Sequence, residues 1–248
     1  MRIMSGYVPI GIVLQMDGNS YCHGCIGLAA SLHGLRMVEQ KTETAITLPQ
    51  KTAPPLMIET GLYGGSFNPI HKGHIRLAEY LCQSGEVSEL WFLVSPQNPF
   101  KSSSQELLPE EQRLALTRLA ITGHPKLQAC DFEFRLPRPS FMVHTLEALR
   151  RAYPDRKFSL VIGADNWVAF NRWKDPEEIL RHHRILVYPR TGYTVDPQSL
   201  PYNVKLVNTP LIDISSTELR QCIARGEDAS YGLEPAVWQK IKEEGYYR

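Results

Sequence analysis

The residues best suited to chemistry lie in one stretch, Tyr63-Gly64-Gly65-Ser66-Phe67-Asn68-Pro69-Ile70-His71-Lys72-Gly73-His74. Gly64 and Gly65 carry no Cβ, so the backbone there can turn tightly and lie close to a ligand. The amide N–H groups of Gly65, Ser66 and Phe67 can then face an anion. His71 and His74 are spaced to share one face of a helix starting beside them. Helix starts favour anions, and imidazole N–H groups can donate to phosphate oxygens. Two other readings of the pair stay open. One is a metal site, for which the stretch offers no Cys, Asp or Glu, so no metal ligand is assigned. The other is a solvated helix face.

A second anion candidate is Ile214-Ser215-Ser216-Thr217-Glu218-Leu219-Arg220. Ser215 with Glu218 fits a helix capping box. Three consecutive hydroxyls exceed what a cap needs, and Arg220 follows one turn on, near enough to bind the same anion. Ser215, Ser216, Thr217 and Arg220 together read as a polyphosphate clamp. Gly163-Ala164-Asp165 and the loop at 95–101, with Lys101, complete the set. Trp173, flanked by Arg172 and Lys174 and followed by Asp175-Pro176, reads as lying in a loop or at a helix end, either a site aromatic or a core one.

These groups need a scaffold, and the apolar pattern supplies one. Short apolar runs of strand length occur at Leu62-Tyr63, Leu90-Trp91-Phe92-Leu93-Val94, 127–132, Phe158-Ser159-Leu160-Val161-Ile162, Ile185-Leu186-Val187-Tyr188 and Lys205-Leu206-Val207. Between them come helix patterns: Ile75 to Cys82 with Gly85 as a stop, a helix opened by Pro109-Glu110-Glu111, Val143 to Ala152, one through Trp167 and Phe170, a short one to about His182, and one from Ser215. Strand–helix alternation with continuous apolar strands predicts an α/β fold, a Rossmann-like open parallel sheet with helices on both faces. Ligands of such sheets bind beyond the carboxyl ends of the strands. Gly64-Gly65-Ser66-Phe67, the 95–101 loop and Gly163-Ala164-Asp165 all fall there.

The bulk properties narrow the class. The chain has 248 residues, 43% hydrophobic and 21% charged, with a formal net charge of +1. No overall field draws it to nucleic acid or membrane, so neither is expected as a partner. No apolar run approaches the roughly 20 residues that span a bilayer. Five scattered cysteines argue for a reducing compartment, hence a cytoplasmic protein. Cys22-His23-Gly24-Cys25 is a lone C-x-x-C without a second pair. Residues 1–56 end in Pro54-Pro55 and carry no clear strand or helix pattern. They are expected to be an N-terminal extension of unknown structure, either disordered or a misassigned start, with the functional domain at 57–248.

The Gly64-to-His74 block resembles the G-G-[ST]-F-[ND]-P-x-H-x-G-H signature of the nucleotidylyltransferase superfamily, and 214–220 resembles its I-S-S-T-x-[IL]-R signature. Pro139-Ser140-Phe141, Thr145-Leu146, Gly163-Ala164-Asp165, Phe170 and Trp173 make the chain similar, from about Met57 onward, to the nicotinate-nucleotide adenylyltransferase family. The resemblance implies that nicotinate mononucleotide attacks the α-phosphate of ATP, with Mg2+ carried on the phosphates. It implies that His71 and His74 bind the ATP phosphates and stabilise the transition state, and that Ser215, Ser216, Thr217 and Arg220 hold the β- and γ-phosphates. Gly163 and Asp165 would meet the adenosine ribose, Trp173 would stack on the nicotinate ring, and Thr145 would lie near its carboxylate. Two positions depart from the pattern. Phe100 replaces a loop histidine, leaving Lys101 as the phosphate contact, and His144 stands where relatives often carry Asp. Related alternatives are an adenylyltransferase for nicotinamide mononucleotide or phosphopantetheine; an alternative of another class is a non-catalytic nucleotide-binding regulator. The oligomeric state is left open.

Overall fold

A computed structural model describes residues 57–96, 107–209 and 214–248. The expectations placed on residues 1–56, on Cys22 and Cys25, and on Phe100 and Lys101 lie outside the described residues. Among the described residues six strands form one sheet: β1 (Ile58–Gly65), β2 (Glu89–Val94), β3 (Leu127–Cys130), β4 (Arg156–Gly163), β5 (Arg184–Tyr188) and β6 (Val204–Leu206). All neighbours pair in parallel, in the order β3-β2-β1-β4-β5-β6. The chain builds outward one way from β1 and the other way from β4. Such a reversal opens a crevice at the carboxyl ends of the two central strands. Gly64-Gly65 ends one of them and Gly163 the other.

Among the described residues seven α-helices cover the sheet: α1 (Lys72–Gln83), α2 (Glu110–Ala120), α3 (Met142–Ala152), α4 (Ala164–Val168), α5 (Pro176–His182), α6 (Ser216–Ala224) and α7 (Pro235–Glu244). The strands are apolar on both faces, and alternate residues face two separate cores. Tyr63, Phe92, Val161 and Leu186 pack with Leu81, Leu116, Leu219 and Val237 from α1, α2, α6 and α7. Leu62, Trp91, Leu160 and Ile185 pack with Leu146, Leu149, Phe170 and Ile179 on the other side. The expected parallel sheet with helices on both faces is the fold observed.

Two local differences have physical causes. β1 runs from Ile58 rather than over Leu62-Tyr63 alone. Gly61, Gly64 and Gly65 dilute its propensity, but pairing with β2 and β4 on both sides fixes it as a strand. The expected helix through Trp167 and Phe170 is broken. It consists of the one-turn α4 and a 3-10 turn at Phe170–Arg172, in which Phe170 is buried while Trp167 stays partly exposed. The α1 stop is as expected: Gly85 takes φ +73°, and the Leu81 carbonyl accepts from the Glu86 and Val87 N–H groups.

Candidate active site

Past β1 the chain turns through Ser66 and Phe67, crosses Asn68-Pro69, and enters α1 with His71 as its N-cap. Phe67 has φ +43°, a left-handed conformation that costs a non-glycine residue about 1–2 kcal/mol. Its buried ring makes edge contacts with Tyr63, Phe92 and His74. A Cβ on Gly65 would stand 2.9 Å from that ring, so the second glycine is required by packing here. The Phe67 side chain therefore belongs to the core, and only its backbone can serve an anion.

The two histidine rings stack with centroids 3.6 Å apart. His74 Nδ1 accepts from the His71 backbone N–H at 3.2 Å. That bond leaves the His74 ring proton on Nε2. His71 Nδ1 is buried without a hydrogen-bond partner among the described residues, a cost of about 1–3 kcal/mol. Burial, with Arg190 nearby, lowers the His71 pKa to about 3. Burial, His71 and Arg190 hold His74 well below the ordinary histidine range. Both rings are neutral at pH 7 and act on an arriving anion as N–H donors. A bound polyphosphate stabilises their protonated forms and raises both values.

The histidines, Gly73, Tyr63, Tyr188, Pro189, Arg190, Thr209 and Ile214 line one shallow hollow, about 330 Å3 with the open solvent at its mouth included. A larger cleft of about 850 Å3, mouth included, opens on the other side of the strand ends. Gly64, Gly65, Ser66, Ser95, Phe141, Gly163, Asn166, Trp173 and Lys174 are among its lining residues, with Glu133 and Ser140 deeper. The two spaces share Tyr63 and Tyr188, whose hydroxyls lie 3.0 Å apart. Burial raises both phenol pKa values, so both stay protonated. Two hydroxyls hold two protons, and their mutual bond uses one.

The second expected anion site comes to the same loop. Ser216 Oγ donates to the Pro69 carbonyl at 2.9 Å and Arg220 Nη1 to the Asn68 carbonyl at 2.9 Å. Ser215 caps α6, its hydroxyl accepting from the Glu218 N–H, and Thr217 is exposed. The cap uses the Ser215 oxygen as an acceptor and the Ser216 proton goes to Pro69, so the Ser215 and Thr217 hydroxyls keep protons that an anion could receive.

A profile of the cytidylyltransferase-like family matches residues 62–222. A protein of Bacteroides fragilis named probable nicotinate-nucleotide adenylyltransferase is 50% identical over 183 residues, which is 74% of this chain and 90% of its own. One of the same name from Bacteroides thetaiotaomicron is 50% identical over 186 residues, 75% of this chain and 92% of its own. The chain belongs to the nicotinate-nucleotide adenylyltransferases of the cytidylyltransferase-like family. The fold agrees with a solved structure of Plasmodium falciparum nicotinic acid mononucleotide adenylyltransferase complexed with NaAD. It has a TM-score of 0.65 and 19% identity, over 77% of this chain and 97% of that one.

Within this adenylyltransferase the remaining expected residues divide. Gly163 and Trp173 line the cleft. Asp165 sits at its edge, 3.7 Å from Arg190, with Oδ1 buried and lacking a hydrogen-bond partner. Thr145 differs from expectation. It is fully buried on α3, and its hydroxyl donates to Glu133 at 2.8 Å rather than facing the cleft. Ser140 donates to the other Glu133 oxygen, so Thr145 supports the cleft floor from below. The sequence reading missed Arg190, Glu133, the tyrosine pair and Arg113. Arg190 was findable, since Tyr188-Pro189-Arg190 follows a strand end just as the other site loops do. Arg113 was findable too: Arg113, Leu116, Thr117 and Ala120 mark one buried stripe of α2, with an arginine where an apolar residue is expected.

Proposed function

We propose that this protein transfers the adenylyl group of ATP to nicotinate mononucleotide, giving nicotinate adenine dinucleotide and pyrophosphate, in cytoplasmic NAD biosynthesis. The observation that carries this reading is the direct joining of the two signatures: Ser216 and Arg220 hold the carbonyls of Pro69 and Asn68, the residues that lead into His71. The two anion-binding elements thus form one surface. The triphosphate would lie along it, with Gly65, Ser66 and the Phe67 backbone at one end, and with Ser215, Ser216, Thr217 and Arg220 taking the β- and γ-phosphates.

A phosphate oxygen of the mononucleotide attacks the α-phosphorus, and the bond to the pyrophosphate oxygen breaks. The attacking oxygen is already ionised, so no general base is required. Charge grows on the leaving pyrophosphate, and His71, His74 and Arg190 meet it with preset donors. Gly163 and Asp165 would receive the adenosine ribose, and Trp173 the nicotinate ring, with Lys174 beside it. Thr145 would act through Glu133, Ser140 and the cleft floor. Among the described residues no three His, Cys, Asp or Glu side chains gather where they could hold a metal ion. The donors present are those of a phosphate site, which suits a magnesium ion that arrives on the triphosphate, screening its charge.

Pyrophosphate release should be measured with ATP against nicotinate mononucleotide, nicotinamide mononucleotide and phosphopantetheine. Release that depends on nicotinate mononucleotide is expected. Faster release with either other acceptor would overturn the acceptor assignment, and none with any acceptor would favour a binding-only protein.

A further inference from the structure

Arg113 is fully buried on α2 and forms no ion pair among the described residues. The nearby Glu110 is taken by Arg138. The Arg113 guanidinium instead spends its donors on backbone carbonyls. Nε donates to Leu108 at 2.8 Å, Nη1 to Ser66 at 2.6 Å and Ser95 at 2.8 Å, and Nη2 to Pro96 at 3.1 Å. Helix packing alone does not call for this. Burying an ion carries a large desolvation penalty, and apolar residues of similar volume commonly replace buried ions without loss of stability.

Three of the four carbonyls it holds lie just past strand ends, and the fourth, Leu108, precedes α2. Ser66 follows β1, Ser95 follows β2, and both line the cleft. The Ser66-Phe67 peptide is not among the cis bonds. In a planar trans peptide the C=O and N–H point in opposite directions. Drawing the Ser66 oxygen toward α2 therefore turns the Phe67 N–H away from α2. This is also the residue forced to φ +43°, a conformation that persists only where its surroundings fix it. We propose that Arg113 is a positioning residue for adenylyl transfer, fixing the Ser66-Phe67 peptide so that the Phe67 amide is aimed at the ATP phosphates, and tying the β1 and β2 ends at one separation. The inference rests on the phosphate-site reading given above.

The test compares Arg113→Met, Arg113→Lys and His74→Ala in steady-state assays with each substrate varied, alongside thermal unfolding. Methionine fills the space and removes all four bonds. Displacement of a reacting group by an ångström costs about 100-fold, so Arg113→Met should lose about that factor in kcat/KM for ATP, with KM for the mononucleotide within about threefold of wild type. Arg113→Lys, whose ammonium can reach some of the carbonyls, should recover part of the loss. Retention of kcat/KM for ATP within about threefold in Arg113→Met would overturn the inference. So would a parallel rise of both KM values that tracks a fall in melting temperature. If Arg113→Met does not accumulate as folded protein, Arg113→Lys decides alone by the same ATP-selective loss. His74→Ala separates the two readings: a turnover loss there with an unaffected Arg113→Met overturns only the role of Arg113. Near-wild-type turnover in His74→Ala overturns the phosphate site, and the inference with it.

Discussion

His71 and His74 combine a sequence-legible spacing with an electrostatic state that the sequence does not express. Their spacing shows that they share a helix face. Their neutrality comes from burial and from Arg190, which lies 116 positions after His74 in the chain. A histidine whose folded pKa is depressed binds fewer protons than its unfolded counterpart between the two values. Stability is therefore fully present above about pH 6.5 and falls as the pH drops toward 3, where the unfolded chain takes up protons that the fold rejects. Each unit of depression corresponds to about 1.4 kcal/mol. The melting temperature of the ligand-free protein should fall steeply from pH 6.5 to 4, and His71→Gln should flatten that slope; an unchanged slope would mean that His71 is not held neutral. Thr145 shows the opposite limit of reading residues. Its place in the chain suggests a ligand contact, but α3 turns it toward Glu133, and helix phase relative to the sheet is a tertiary property.

The element that matters most is the strand end. Three of the site loops were legible because apolar runs and glycines mark where parallel strands stop, and such ends collect ligands whatever the ligand is. The length of β1 was not legible, because its glycines hide a strand held by neighbours on both sides. The β4–α4 junction allows a sharp test. A Cβ on Gly163 would fall 2.3 Å from Asp165 Oδ1 and 3.0 Å from Arg190 Cγ. Gly163→Ala must displace Asp165, so KM for ATP should rise about tenfold or more, as when one charged hydrogen bond is lost, while the fold remains intact by circular dichroism. An ATP KM equal to wild type would remove Gly163 and Asp165 from the adenosine site.

For the whole molecule, strand–helix alternation and the rules of chain connection make the parallel architecture legible, whereas Arg113 and Arg190 show in the sequence only as an arginine in an apolar stripe and an arginine after a strand end, without the partners that give them their place. The described residues from Met57 onward contain both cores and both anion-binding elements. A protein beginning at Met57 should keep kcat and both KM values within about twofold, the range of a change that removes nothing the reaction uses; a folded but inactive truncation would give residues 1–56 a part in the reaction.

The tyrosine pair forms a wall shared by two chambers, the hollow at the histidines as the inner one and the larger cleft as the outer one. Groups that share no partners and lie well apart contribute independently to free energy. Trp173→Ala, in the outer chamber, should raise KM for the mononucleotide more than for ATP. Its effect on kcat/KM should multiply, without synergy, with that of His71→Ala in the inner one, whereas either change combined with Tyr188→Phe should depart from that product. Independence of this kind would let the acceptor side proposed above be rebuilt for a different mononucleotide while the proposed triphosphate side is left as it stands.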